Sequence, residues 1–133
     1  MIRASLLAAI FAAPVVPAAH AASDYHTENR LTINQIDADS FEIIEARGFG
    51  GWQFWCAAGR YVKRGLGQSR GHLFVESPRG PAKTQPGSIG IVFTTKPVDN
   101  PVRAQSVSVN LVGQTMSIGK AADFCQNYNP SSF

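Results

Sequence analysis

The sequence predicts an α+β fold, an antiparallel sheet of about five strands with two helices on one face in the order β-β-α-β-β-β-α. Three observations predict it. Short apolar runs alternate with polar residues and are parted by turn-forming clusters of Asp, Ser, Gly and Pro. Two longer stretches space their apolar residues at helical intervals instead. Each of those two stretches holds one of the chain's two cysteines, Cys56 and Cys125.

Taken in order, Ser23 to Arg30 is polar and without period, and reads as a loose arm. Leu31 to Ile36 and Phe41 to Ala46 are strands of a hairpin, joined by Asp37-Ala38-Asp39-Ser40, whose side chains satisfy local backbone donors. Gly50 to Leu66 is the principal helix. Trp52, Trp55, Cys56, Gly59, Val62 and Leu66 make its apolar stripe, while Gln53, Arg60, Lys63 and Arg64 lie largely off it, facing water. Phe54 and Tyr61 are also off the stripe and expected to be more open than Trp55. Gly65 and Gly67 stop the helix, and its cationic last turn suits the negative end of the dipole.

His72 to Glu76 is the next strand, followed by a loop over Ser77 to Ser88 with its three prolines and two glycines. Ile89, Ile91 and Phe93 form the inward face of a further strand. Lys96 to Ala104, with Pro97 and Pro101, reads as loop. Ser106 to Leu111 has the cleanest alternation in the chain, with Val107, Val109 and Leu111 inward. Ser117 caps a closing helix on which Ile118, Ala121, Ala122, Cys125 and Tyr128 share a face, and Pro130 prevents its continuation.

The N-terminus carries the pattern of a secretory signal. Arg3 supplies the positive region, Leu6 to Ala13 the apolar region and Ala19-His20-Ala21 the cleavage site. This divides the chain into a signal peptide, 1–21, and a single α+β domain, 22–133, placed in the periplasm or outside the cell. Pro14, Pro17 and His20 interrupt the apolar run, which falls short of the roughly 20 residues a transmembrane segment needs. An exporting compartment oxidises thiols, so the two cysteines are expected to pair as Cys56–Cys125.

The formal charge is +3 and falls to +2 once Arg3 leaves with the signal. Its distribution is uneven. Asp24, Glu28, Asp37, Asp39, Glu42 and Glu45 stand against only Arg30 and Arg47 up to Gly59, whereas Arg60, Lys63, Arg64, Arg70, Arg79, Lys83, Lys96 and Arg103 stand against Glu76 and Asp99 from there to Arg103. The first six of these cations, Arg60 to Lys83, form a candidate anion-binding segment, suited to anionic cell-envelope components. Export argues against nucleic acid as a partner. The same polarity is equally compatible with acidic and basic halves that pair across a sheet.

Catalytic chemistry finds little purchase. Gly71-His72-Leu73 at a strand start resembles the histidine segment of papain-like peptidoglycan peptidases, which would make Cys56 a nucleophile and His72 its base. The gap between the two is far shorter than in that family, its Asp-Cys or Cys-Trp signature is missing, and Cys125 offers a partner that would consume the thiol. No metal-ligand spacing or phosphate-binding glycine loop occurs, and no cofactor is expected. Glu42 and Glu45, three apart on a strand, point to opposite faces and are not placed for glycoside chemistry. Trp52, Phe54, Trp55 and Tyr61 could stack a sugar or base, with core packing favoured for Trp55.

Phe54-Trp55-Cys56-Ala57-Ala58, Arg64-Gly65-Leu66-Gly67, Arg79-Gly80-Pro81 and the closing Ser117 to Cys125 segment resemble small exported hypothetical proteins of alphaproteobacteria. The resemblance implies export and the disulfide, and implies no activity. The resulting expectation is a non-enzymatic binding or envelope-associated module. Two alternatives stand beside it: a cysteine hydrolase using Cys56 and His72, and a small periplasmic inhibitor. Lysozyme, the usual target of such inhibitors, is cationic and a poor electrostatic match for a chain near +2.

Overall fold

A computed structural model describes residues 25–26, 31–104 and 106–127. The signal expected over 1–21, and Tyr128 and Pro130 of the closing helix, lie outside the described residues. The strands are β1 (Tyr25–His26), β2 (Thr32–Gln35), β3 (Ser40–Ile44), β4 (His72–Pro81), β5 (Ile89–Thr94), β6 (Val102–Arg103) and β7 (Gln114–Ser117). Helix α1 (Gly51–Arg60) continues into a π-helical turn, Tyr61–Gly65, and α2 (Ile118–Asp123) into a 3-10 turn, Phe124–Asn127. No helix among the described residues is long and apolar enough to cross a membrane.

The seven strands form one sheet in the order β1-β2-β3-β5-β4-β7-β6, so the fold is α+β as expected. All neighbours are antiparallel except β6 and β7. Because β3 and β4 are both antiparallel to β5, they run in the same direction with α1 as the crossover between them. The hairpin turn between β2 and β3 uses the expected side chain. Asp37 Oδ1 accepts from the amides of Asp39 at 2.9 Å and Ser40 at 2.8 Å. The Asp39 bond first, and Ser40's after it, hold the Asp37 carboxyl below its ordinary pKa.

One face of the sheet is the core face. Ile33, Phe41, Ile43, Leu73, Val75, Ile91 and Phe93 are fully buried there against Phe54, Trp55, Ala58, Tyr61 and Val62 of the helical segment. Aromatic rings join the two layers edge to face. Trp55 meets Phe93 with centroids 5.0 Å apart, and Tyr61 meets Phe41 at 4.6 Å.

The expected stripe on α1 needs correction. Phe54 and Tyr61 are 1% and 3% exposed, whereas Trp52 is only half-buried. The helix has two partners, the sheet on one side and α2 on another, so its buried face is wider than one stripe. Gln53 is buried as well, because its side chain turns back to accept the Gly50 amide ahead of the helix. At the far end the Leu66 amide donates to the Tyr61 carbonyl at 3.0 Å, the i to i+5 bond of a π turn. Gly65 accommodates this turn, since a Cβ there would lie 2.8 Å from the Tyr61 ring.

Four expected loop or strand assignments also change. The arm before Leu31 contains β1, the loop of Lys96 to Ala104 contains β6, and β4 runs on to Pro81 through irregular register. Ser106 to Leu111 is not a strand, and β7 at Gln114–Ser117 takes its place in the sheet. The alternation in that segment serves local bonding instead. The Ser108 amide donates to Ser106 Oγ at 3.4 Å and the Asn110 amide to Ser108 Oγ at 3.3 Å, which bends the backbone away from a ladder. The segment straps the start of α1. Trp55 Nε1 donates to the Ser108 carbonyl at 3.3 Å, the Arg79 amide donates to the Val109 carbonyl at 3.2 Å, and Val109 is buried.

Helices α1 and α2 approach closely at Gly59. A Cβ there would lie 2.4 Å from the Ala122 nitrogen and 2.8 Å from the Ala121 carbonyl carbon, both backbone atoms that cannot swing aside. Beside this contact Cys56 and Cys125 are bonded, with Cα atoms 5.0 Å apart and a separation of 69 positions along the chain. A loop of that length gives roughly 4 kcal/mol in the chain-entropy account. Cys56→Ser or Cys125→Ser should therefore lower the unfolding free energy in urea by about that amount, and reductant should have no further effect on either variant. Gly59→Ala should cost about 1–3 kcal/mol by overpacking, read as a lower denaturation midpoint at unchanged m-value.

Candidate functional site

A concavity of about 390 Å³ lies along the far edge of the sheet. Its walls are His72 from β4, Pro101, Arg103 and Ala104 around β6, Thr115, Met116 and Ser117 of β7, and Lys120 from α2. The sheet register explains the grouping. His72 stands opposite Ser117, and Arg103 stands opposite Thr115. Strand β7 is thus a spine of two hydroxyl residues with a histidine on one flank and an arginine on the other.

Local structure holds each part. Gly71, at φ 109°, makes the turn into β4, and its carbonyl accepts the Ile118 amide at 3.0 Å, tying the start of β4 to the start of α2. Thr115 Oγ1 donates to the Leu73 carbonyl at 2.8 Å. Ser117 Oγ accepts the Lys120 amide at 3.2 Å, the cap expected from the sequence, which brings the first turn of α2 to the cavity. Ala104 and Met116 are buried and give the cavity an apolar floor.

Three basic side chains therefore converge with two hydroxyls, and no carboxylate is among the lining residues. Such a lining suits an anion. Arginine and lysine supply charged donors, the Ser117 hydroxyl keeps its proton for a further bond because it only accepts the Lys120 amide, and the volume falls within the few hundred cubic ångströms usual for small-ligand sites. Among the described residues no three His, Cys, Asp or Glu side chains gather as a metal site.

None of the six cations expected as an anion-binding segment lines this cavity. The structure also divides them. Arg60 is half-buried at the end of α1, Lys63 and Arg64 are exposed on the π turn, and Arg70 is exposed before β4. Arg79 sits instead beside the first turn of α1, where it lines a smaller groove of about 140 Å³. Its guanidinium makes two bonds to the Glu45 carboxylate, Nε to Oε2 at 3.0 Å and Nη2 to Oε1. Lys83 Nζ donates to Ser77 Oγ at 2.8 Å. Cys56 is buried and bonded to Cys125, so in this state it offers no thiol to His72. Phe54, Trp55 and Tyr61, weighed as a stacking platform, are consumed by the core.

From the sequence, Arg103 counts toward the basic half of the chain but joins no candidate site, and Lys120 is not singled out, because the two are neither adjacent nor periodic. Nor is the structural use of Glu42 legible there. This carboxylate is 1% exposed on the sheet face away from the core and accepts the amides of Lys83 and Thr84, each at 2.7 Å, and the Thr84 hydroxyl. Asn34 Nδ2 adds a bond to Thr84 Oγ1 at 2.9 Å. Gly90 leaves the space, since a Cβ there would lie 2.6 Å from Glu42 Oε1. A buried carboxylate with this many donors anchors the 82–88 loop.

No family model, curated protein or solved structure matches the chain.

Glu42→Ala should free that loop. We expect a loss of about 1–3 kcal/mol in stability, from the part-buried donors left unpaired. Hydrogen exchange should accelerate selectively at the Lys83 and Thr84 amides.

Proposed function

We propose that the protein is an exported, non-enzymatic binding module whose ligand is a small anion or the anionic group of a larger envelope component. The observation that carries this reading is the cavity of His72, Arg103 and Lys120, with Thr115 and Ser117 between them and no acid in its lining. Two cations outside the cavity are already engaged, Arg79 by Glu45 and Lys83 by Ser77. The signal-like N-terminus and the Cys56–Cys125 bond support a periplasmic or secreted location.

The bonded state of Cys56 weighs against a cysteine hydrolase, and Ser117 already accepts the Lys120 amide as a helix cap. The inhibitor alternative gains no observation. The exposed residues Lys63, Arg64 and Arg70 make a second basic surface, but none of them lines the cavity.

Titration calorimetry with inorganic phosphate and with glycerol phosphate tests the reading. A charged hydrogen bond contributes about 1.5–3 kcal/mol. The double variant Arg103→Gln/Lys120→Gln should therefore bind about 100-fold more weakly or not at all, while Arg60→Gln/Arg64→Gln should match the parent. Equal binding by the parent and the Arg103/Lys120 variant would reject the cavity as the site. Affinity should also fall steeply from low to physiological salt.

A further inference from the structure

The edge that carries the cavity also carries the three most exposed large apolar residues among the described residues. Leu111 is 56% exposed, Val112 62% and Val102 43%. They form one tip. The Val102 amide donates to the Gly113 carbonyl at 2.8 Å, which holds β6 directly against the turn that contains Leu111 and Val112. Gly113, at φ 80°, makes that turn, and a Cβ there would lie 2.7 Å from the Asn100 carbonyl oxygen, so the turn is packed tightly onto the chain leading into β6.

Strand β6 ends the sheet, and successive residues on a strand point to opposite faces. The edge therefore presents Val102 on one side and Arg103, a cavity residue, on the other. An apolar tip beside a cationic cavity matches a surface that is itself layered, with anionic head groups outside and hydrocarbon beneath. We propose that this edge docks on an anionic phospholipid bilayer, with a head-group phosphate in the cavity and Leu111, Val112 and Val102 seated at the acyl boundary. The docking rests on the cavity being an anion site.

Charge complementarity selects this partner. Arg103, Lys120 and His72 line the cavity without an acid. Leu111, Val112 and Val102 carry no charge. Asp99, on the stretch leading into β6 that packs on Gly113, and Asp123 are the carboxylates closest to the tip along the chain, and both lie outside the cavity lining. The contact is peripheral, as the helices contain no membrane-crossing segment among the described residues.

Co-sedimentation of the oxidised protein with vesicles tests the docking, run in parallel with glycerol phosphate titration. Vesicles of phosphatidylcholine mixed with phosphatidylglycerol should capture the protein, and vesicles of phosphatidylcholine alone should not. Leu111→Ser/Val112→Ser should weaken vesicle capture about tenfold or more, with glycerol phosphate affinity and melting temperature unchanged, because both side chains are exposed and outside the cavity. Arg103→Gln/Lys120→Gln should lose both kinds of binding. Parent protein that binds glycerol phosphate but ignores anionic vesicles overturns the docking and leaves the cavity reading standing. Vesicle capture indifferent to the Leu111/Val112 change overturns it too. Failure with both glycerol phosphate and vesicles overturns the cavity reading and the docking together.

Discussion

The contact between α1 and α2 at Gly59 is the constraint on which the rest of the molecule depends. The backbone of Ala121 and Ala122 lies where any larger residue at position 59 would place its Cβ, and the Cys56–Cys125 bond closes the same seam. One helix is held to the sheet by its aromatic side chains, Trp55 on Phe93 and Tyr61 on Phe41. The other has only six residues before it tightens into a 3-10 turn, too short to be stable on its own. Its position is thus inherited from α1. At its other end α2 carries Ser117 and Lys120 to the cavity, so the seam that organises the core also places one wall of the candidate site.

The opposite face of the sheet is organised by a polar device. Glu42 projects away from the core and gathers the backbone of Lys83 and Thr84, while Lys83 reaches back with its ammonium group to Ser77. In the β4–β5 and β3–β5 registers Val92 lies between Ser77 and Glu42, which places it beneath the Lys83 side chain and accounts for its burial. Removing a carboxylate from water is costly, and here donors from the loop and its threonine offset that cost. Pro86 limits what the 82–88 loop must give up on ordering, whereas Gly87 adds to it. The carboxylate then supplies the anchor that composition alone does not.

Charge along the chain is a poor guide to charge in space. The segment from Arg60 to Lys83 looks like one basic cluster when read in order, yet the fold sends Arg79 to the start of α1 and Lys83 to the outer sheet face. The cavity draws its basic side chains from three different elements, β4, β6 and α2. They meet because β7 pairs with β4 on one side and β6 on the other, then turns directly into α2 under the Ser117 cap.

The sequence by itself determined the α+β class, four of the strands in outline, both helices, the Asp37 turn, the Ser117 cap and the cysteine pairing. These follow from local rules: periodicity, turn chemistry, capping and the count of thiols. Tertiary structure decided the remainder. Whether Ser106 to Leu111 joins a sheet depends on what lies beside it, and with Trp55 and the Arg79 amide available its carbonyls bond those instead while its serines bond locally. Phe54 and Tyr61 are buried because α1 meets a second helix as well as the sheet, which a single-face period cannot express. The site was legible only at His72 and the Ser117 cap. Arg103 and Lys120 become neighbours through strand order, a long-range property that no local spacing encodes.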